Sequence, residues 1–272
     1  MEKPSVKRQY LLSSVNNALK ILDLLSVRDS LGVAEISRLL KLDKTSVFKM
    51  LYTLEHRDYV IKTADAKYRL GIKFTNYGSL VAERQTIADV AAPYLSRLQA
   101  ATGETVCLST LNTNGRVIAT HLIEGDDPEH IPARIGYEMD AYSNANGKLL
   151  LANLPSETQA SLLKRITLVP HTPFTVTDRA VFQHQLDLLR GQPIATECDE
   201  DILGHCDIAA PIYDHLGNCC SAVSIVCANS HMEARRIAYR SLLLQTAENI
   251  SRKMGFYGAW KVPCDLSASD DP

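Results

Sequence analysis

Residues 33–56 limit what this chain can fold into more than any other stretch. In residues 33–40, Val-Ala-Glu-Ile-Ser-Arg-Leu-Leu, the apolar side chains fall at 33, 36, 39 and 40, the spacing of a short helix with one buried face. Residues 41–43 break that pattern. Asp43 then offers an N-cap to a second helix whose apolar positions are 47, 50, 51 and 54. Two short helices joined by a tight turn form a helix-turn-helix, whose second helix lies in the major groove and presents its N-terminal side chains to base edges. Its outward face here carries Lys44, Thr45, Ser46, Phe48, Lys49, Tyr52 and Thr53, groups suited to phosphates and base edges. An ordinary helical hairpin with a solvated basic face has the same pattern, so the flanking sequence has to separate the two.

It does so on both sides. From Ser14, a capping residue, Val15, Ala18, Leu19, Leu22 and Leu25 recur at helical spacing and predict a first helix of about three turns. Downstream, residues 58–62 and 67–71 are short β-rich runs about a polar turn, the pattern of a hairpin. Three helices and a hairpin make a winged helix. Lys62, Lys67 and Arg69 lie on that wing, within reach of phosphates or the minor groove, although cations on an edge strand can also serve only to solvate it. Residues 1–70 hold 13 Lys or Arg against 8 Asp or Glu, an excess of +5; the remainder carries −7, so the net charge of −2 conceals a basic front on an acidic body.

A chain of 272 residues suits two domains. We divide it into a flexible N-terminus (1–12), a winged helix-turn-helix domain (13–78), a linker helix region (79–85), a second domain (86–254) and a polar C-terminal tail (255–272). The linker belongs to a helix expected over 72–85, and a further helix is expected over 86–101, kinked or restarted at Pro93. No apolar run approaches the roughly 18 residues of a membrane span, and no apolar signal core follows the charged N-terminus, so we expect a cytoplasmic protein with no membrane partner. The seven cysteines are odd in number and contain no Cys-x-x-Cys pair. They read as reduced, buried thiols.

Beyond residue 103, strands and helices interleave. Residues 105–111 and 117–123 flank Thr-Asn-Gly-Arg, a strong hairpin signal. A loop is expected at 125–128 and a strand at 131–135, then helices at 144–153, 156–165 and 178–190, the last capped by Thr177 or Asp178. Strands follow at 193–197, 207–213 and 219–227, and an amphipathic helix at 233–254. Hairpin turns among these strands favour an α+β domain with a mixed or antiparallel sheet.

Ser-Val-Asn-Asn-Ala-Leu-Lys-Ile-Leu from Ser14, Lys-Thr-Ser-Val-Phe-Lys-Met-Leu from Lys44, Tyr-Arg-Leu-Gly from Tyr68, Ala-Asn-Gly-Lys-Leu-Leu-Leu-Ala from Ala145 and Ile-Ala-Ala-Pro-Ile-Tyr-Asp from Ile208 occur in the order and spacing of one family. Through them the chain resembles the IclR family of bacterial transcriptional regulators. The resemblance implies a winged helix-turn-helix reading a double-stranded DNA operator, a linker helix that dimerises, and a GAF-like domain binding a small-molecule effector. We read the chain as a homodimer or tetramer with no cofactor and no catalytic or metal site, since it has no Gly-x-Ser-x-Gly elbow, no dinucleotide or P-loop glycine motif and no paired zinc-ligand spacing. The chain departs from the family at Lys41, where Gly is usual in the turn, at Lys49, where Arg is common, and at Glu138 and Asp140, where Arg and Pro are frequent.

Carried over motif by motif, the effector site comprises Asn144, Ala145, Asn146, Glu197, Asp207, Ser224 and Val226. A one-residue shift in strand register would put Cys206 in place of Asp207. Free N–H groups at the start of the helix from Ala145 suit an anionic group. Two buried carboxylates, Glu197 and Asp207, would repel, so one should have a raised pKa or a partner. The effector is therefore expected to carry an anionic group together with hydroxyl or amine donors. The competing reading makes Cys206, His205 and Asp207 part of an enzyme or metal-binding sensor, with Cys206 as nucleophile and His205 or His121 as base. Neighbouring strand residues point to opposite faces, which disfavours a Cys206–His205 pair.

Overall fold

The computed structural model describes residues 10–84, 86–126 and 135–258, and the chain forms two compact units, 1–85 and 86–272. In the first, α1 (Ser13–Ser26), α2 (Val33–Leu40) and α3 (Lys44–His56) pack with a hairpin of β1 (Val60–Lys62) and β2 (Tyr68–Leu70), and α4 (Lys73–Arg84) follows. Ile21, Leu25, Ile36, Val47, Leu51, Val60 and Tyr68 form its core, the apolar positions of the helical and alternating patterns. Leu31 adds a bridge to Tyr68 beside the hairpin. Ser14 does not cap α1. The helix begins one residue earlier after Leu12, with no side-chain cap, and α1 is 14 residues long, nearer four turns than three.

The second unit is a six-stranded antiparallel sheet in the order β5-β4-β3-β8-β7-β6. Its strands are β3 (Thr105–Leu111), β4 (Arg116–Ile123), β5 (Glu138–Asp140), β6 (Ala195–Cys198), β7 (His205–Tyr213) and β8 (Cys219–Ala228). On one face lie α5 (Ile87–Thr102) and α9 (Asn229–Lys253), packed on Val106, Leu108, Ile208, Ala210, Val223 and Ile225. The opposite face receives α6 (Ala145–Ala152), with α7 (Ser156–Leu163) and α8 (Arg179–Leu189) outside it. Strand alternation thus divides the residues. In β7, Cys206 and Ile208 face α5 and α9, whereas Asp207 and Ala209 face α6.

Several boundaries differ from the sequence reading. Strand β5 was not expected; the strand expected at 131–135 and part of the loop at 125–128 fall largely on 127–134, outside the described residues, and Ile135 is in a turn. Helix α5 runs on as one element through Pro93 behind a Thr86–Asp89 capping box, Asp178 rather than Thr177 caps α8, and α9 starts at Asn229. The cysteine expectation is corrected. Cys198 and Cys206 are directly opposed in the β6–β7 ladder and joined by a disulfide, their Cα atoms 4.0 Å apart; Cys107, Cys219, Cys220 and Cys227 are free thiols.

Candidate DNA-contacting face and effector cavity

The turn between α2 and α3 is built without glycine. Lys41 adopts the left-handed conformation at φ 55°, where Gly would be the unstrained choice. Hydrogen bonds hold it: the Leu42 N–H donates to the Ser37 carbonyl at 3.0 Å and the Ser37 hydroxyl to the Leu42 carbonyl at 2.6 Å. Asp43 then caps α3, accepting from the Ser46 N–H at 2.8 Å, which fixes the start of the helix and the direction of its first side chains.

Because Val47 and Leu51 are buried, the opposite face is presented outward. Lys44, Thr45, Phe48, Lys49, Tyr52 and Thr53 are exposed and Ser46 is half-buried. Phe48 and Tyr52, at 49% and 62% exposure, are large rings with no core to fill, suited to thymine methyls and base edges. The Thr53 hydroxyl is already committed to the Lys49 carbonyl at 2.8 Å. On the wing, Lys62 and Arg69 are exposed, but they do not share a face, since Lys62 pairs with buried Tyr68 and Arg69 with Ile61. Lys67 lies 3.7 Å from Asp65 and is partly neutralised.

In the second unit a small cavity of about 50 Å³ lies between the sheet and α6, lined among others by Thr105, Cys107, Leu122, Met139, Asn144, Asn146, Glu197, Asp207 and Val226. Asn144 caps α6, accepting from the Gly147 N–H at 2.8 Å. Gly147 allows the helix to close on the chain before it, since a Cβ there would sit 2.3 Å from the Ala141 backbone. Asp207 reaches across to the start of α6, where its Oδ2 accepts from the Ala145 N–H at 3.1 Å and from Asn146 Nδ2 at 3.3 Å. Asn146 Nδ2 also donates to Ser224 Oγ at 2.7 Å. The N–H of Ala145, expected to be free for an anion, is therefore occupied by the protein's own carboxylate.

Glu197 and Asp207 are opposed in the β6–β7 ladder and both are buried. Burial and the neighbouring Asp207 charge push Glu197 up to about 9, with the Glu200 N–H pulling the other way. Burial raises Asp207 to about 7 against the lowering effect of its hydrogen bonds to Ser224 and the α6 amides. Lys148, itself buried, is spent on an ion pair with Glu200.

Cys206 is not in this cavity. Its side chain belongs to the opposite face of β7, in the core beneath α5 and α9, and is tied to Cys198, so it has no thiolate to offer as a nucleophile. Among the described residues no group of three or more His, Cys, Asp or Glu could hold a metal ion. Glu138 and Asp140 lie on the edge strand, where Arg116 binds both: Nε is 3.3 Å from Glu138 and Nη1 2.6 Å from Asp140. Asp201, Ile202 and His205 complete the cavity lining and were not assigned to it from sequence. The cluster of acids around Glu197 was their only signal.

The family model for the IclR helix-turn-helix domain matches residues 14–63, and that for the bacterial transcriptional regulator IclR C-terminal domain matches residues 79–252. The chain belongs to the IclR family. As an IclR-family regulator it is a DNA-binding transcriptional regulator whose C-terminal, GAF-like α+β domain binds small-molecule effectors. The HTH-type transcriptional regulator XynR of Escherichia coli is 29% identical over 249 residues, 90% of this chain and 98% of that protein. The HTH-type transcriptional repressor AllR of Klebsiella pneumoniae is 29% identical over 228 residues, 83% and 84% of the two chains. Among solved structures, IclR of Thermotoga maritima is 31% identical with a TM-score of 0.60, covering 90% of this chain and 99% of that one. The Agobacterium tumefaciens repressor BlcR shares the fold at a TM-score of 0.76 and 24% identity, covering 91% and 99%.

Proposed function

We propose that the face of α3 bearing Lys44, Thr45, Ser46, Phe48, Lys49, Tyr52 and Thr53 enters the major groove of an operator, that Lys62, Lys67 and Arg69 make flanking contacts, and that the effector occupies the cavity at the start of α6. The carrying observation is the geometry of α3: a capped helix held by a buried inner face, with a polar and aromatic outer face that no core claims. The effector site then comprises Asn144, Ala145, Asn146, Glu197, Asp207, Ser224 and Val226. Residues 13–78 act as the DNA-binding domain, 79–85 as the linker and 86–254 as the effector domain.

The protein acts in the cytoplasm as a homodimer or a dimer of dimers, each winged helix reading one half-site. Exposed apolar residues on and before α1 (Leu11, Leu12, Val15, Leu19) and on α4 (Tyr77, Leu80) support a subunit interface on the first unit. Among the described residues no helix is long and apolar enough to cross a membrane. The protein regulates rather than catalyses, and the effector shifts operator affinity through a coupling on the order of 1–3 kcal/mol.

Selection of bound duplexes from a random double-stranded DNA library tests the assignment of α3. The wild type should enrich one motif with two-fold related halves. Thr45→Ala, Ser46→Ala and Lys49→Ala should each relax or change the enriched bases, at about 1–3 kcal/mol for each base-edge interaction removed. Three variants that enrich the wild-type motif unchanged would remove α3 from base readout.

A further inference from the structure

Two cysteines expected from sequence to be separate reduced thiols meet at the base of a loop that walls the cavity beside α6. Cys198 ends β6 and Cys206 is the second residue of β7, directly opposite it in the ladder. The turn between the strands, residues 199–204, supplies Asp201 and Ile202 to the cavity lining. Side chains tie that turn to the elements around it. Glu200 pairs with Lys148 of α6, Asp201 accepts from the Ser143 hydroxyl at 2.7 Å, and the Thr175 hydroxyl donates to the Glu200 carbonyl at 2.6 Å. The disulfide closes the turn covalently at the edge of the sheet, where β6 has β7 as its one strand neighbour among the described residues.

The surroundings suit both redox forms of the pair. Cys198 is half-buried and Cys206 buried, so the sulfur within reach of an incoming thiolate is that of Cys198, with Cys206 as the leaving group. Asn229 Oδ1 lies 3.1 Å from Cys206 Sγ. The amide is held that way round because its Nδ2 donates to Asp199 Oδ2 at 2.9 Å. In the disulfide this oxygen receives no hydrogen from sulfur; in the reduced form it accepts the Cys206 S–H. The backbone ladder keeps the two residues opposed in either form. A disulfide in a cytoplasmic protein, the location proposed above, is characteristically transient and redox-sensing.

We propose that Cys198 and Cys206 form a reversible dithiol–disulfide site whose oxidation state sets how firmly residues 199–204 wall the cavity, and thereby the affinity for operator. In reduction, a thiolate of a small dithiol attacks Cys198 Sγ, the Cys198–Cys206 bond breaks, and Cys206 leaves and takes up a proton. The reductant's second thiolate then attacks the reductant sulfur of the mixed disulfide and releases Cys198, which is protonated in turn. Two electrons and two protons pass to the protein, and the reductant becomes a disulfide. A small disulfide drives the reverse exchange. The link to operator affinity rests on reading the cavity as the effector site; the exchange chemistry does not.

The test equilibrates the full-length protein in buffers from reduced to oxidised dithiothreitol, without denaturant. Acid quenching, alkylation and tandem mass spectrometry then assign the labelled cysteines. Cys198 and Cys206 should gain label together in one two-electron transition, while the label on Cys107 and Cys227, free thiols in the structure, stays constant. Reduction should speed amide exchange across residues 199–204 at least about fivefold, because the covalent closure of the loop is gone, and leave β3 and β4 unchanged. Wild-type affinity for the duplex enriched by selection should differ at least about fivefold between the two extreme buffers. Cys198→Ser, shown by circular dichroism to be folded, should exchange like the reduced wild type and bind that duplex equally in both. Cysteines that stay labelled in the most oxidising buffer, or a bond that survives the most reducing one, would overturn the site and leave the effector reading standing. A full transition that leaves loop exchange or operator affinity unchanged would overturn the control exerted through the cavity wall.

Discussion

Leu51→Ala should lower the melting temperature of the DNA-binding unit by about 8–40 °C and abolish operator binding at 37 °C. Leu51 is fully buried at the centre of the core formed with Ile21, Ile36, Val47 and Tyr68. Removing its three outer carbons takes away transfer free energy and leaves a cavity between α1, α3 and the wing, a loss of about 2–5 kcal/mol. The unit has 85 residues, and in a domain of that size each kcal/mol corresponds to about 4–8 °C. Phe48→Ala, one helical turn away on the exposed face, should leave the melting temperature within about 2 °C, because surface substitutions away from packed features change stability little, while weakening DNA binding. Calorimetry together with duplex binding separates the two effects. Equal thermal stability for the two variants would show that α3 does not bury the face assigned to it.

Glu197→Gln should stabilise the protein at alkaline pH and leave it unchanged in acid. Glu197 sits near 9 instead of the ordinary 4.5 because it is buried and faces Asp207. Between those two values the folded protein holds a proton that the unfolded chain has released, so rising pH favours unfolding throughout that window. Asp207, raised to about 7, adds to the same trend in the lower part of the window, and the two titrate as a pair. This is opposite in sign to a carboxylate stabilised by a salt bridge. The wild type should therefore lose stability steadily from about pH 5 to pH 9, each group contributing at most about 1.4 kcal/mol per pH unit. Gln keeps the acceptor for the Glu200 N–H and carries no charge. At pH 8 the variant should be more stable by on the order of 2–4 kcal/mol, and at pH 4.5 the two proteins should melt together. Parallel stability curves across pH 4.5–9 would show that Glu197 does not carry a buried proton.

The helical parts of this molecule were legible because their patterns are local. Asp43 as a cap and the apolar positions 47 and 51 define α3 within one stretch of chain. The three-residue strand β5 was not legible, because Glu-Met-Asp has no strand character of its own and exists as a strand through pairing with β4. The disulfide escaped notice for a related reason: only the register of β6 against β7 brings residue 198 opposite residue 206. The same register decides between Asp207 and Cys206, since a shift of one residue would exchange them across the sheet. The carboxylate pair was legible only through the family resemblance, which placed Glu197 and Asp207 together; their opposition in the β6–β7 ladder is a matter of register, and the capture of the Ala145 amide by Asp207 spans 62 residues.

The measurement that bears most directly on a winged helix binding DNA is the salt dependence of operator affinity for the full-length protein. Removal of one cation that neutralises a phosphate should flatten the slope of log affinity against log salt by about 0.9. Lys62→Ala and Arg69→Ala should each show that flattening and keep the wild-type order of preference among operator sequences, because phosphate contacts position the protein and base contacts specify the site. A slope identical to wild type in both variants, or a wild-type affinity that does not change with salt, would contradict the account.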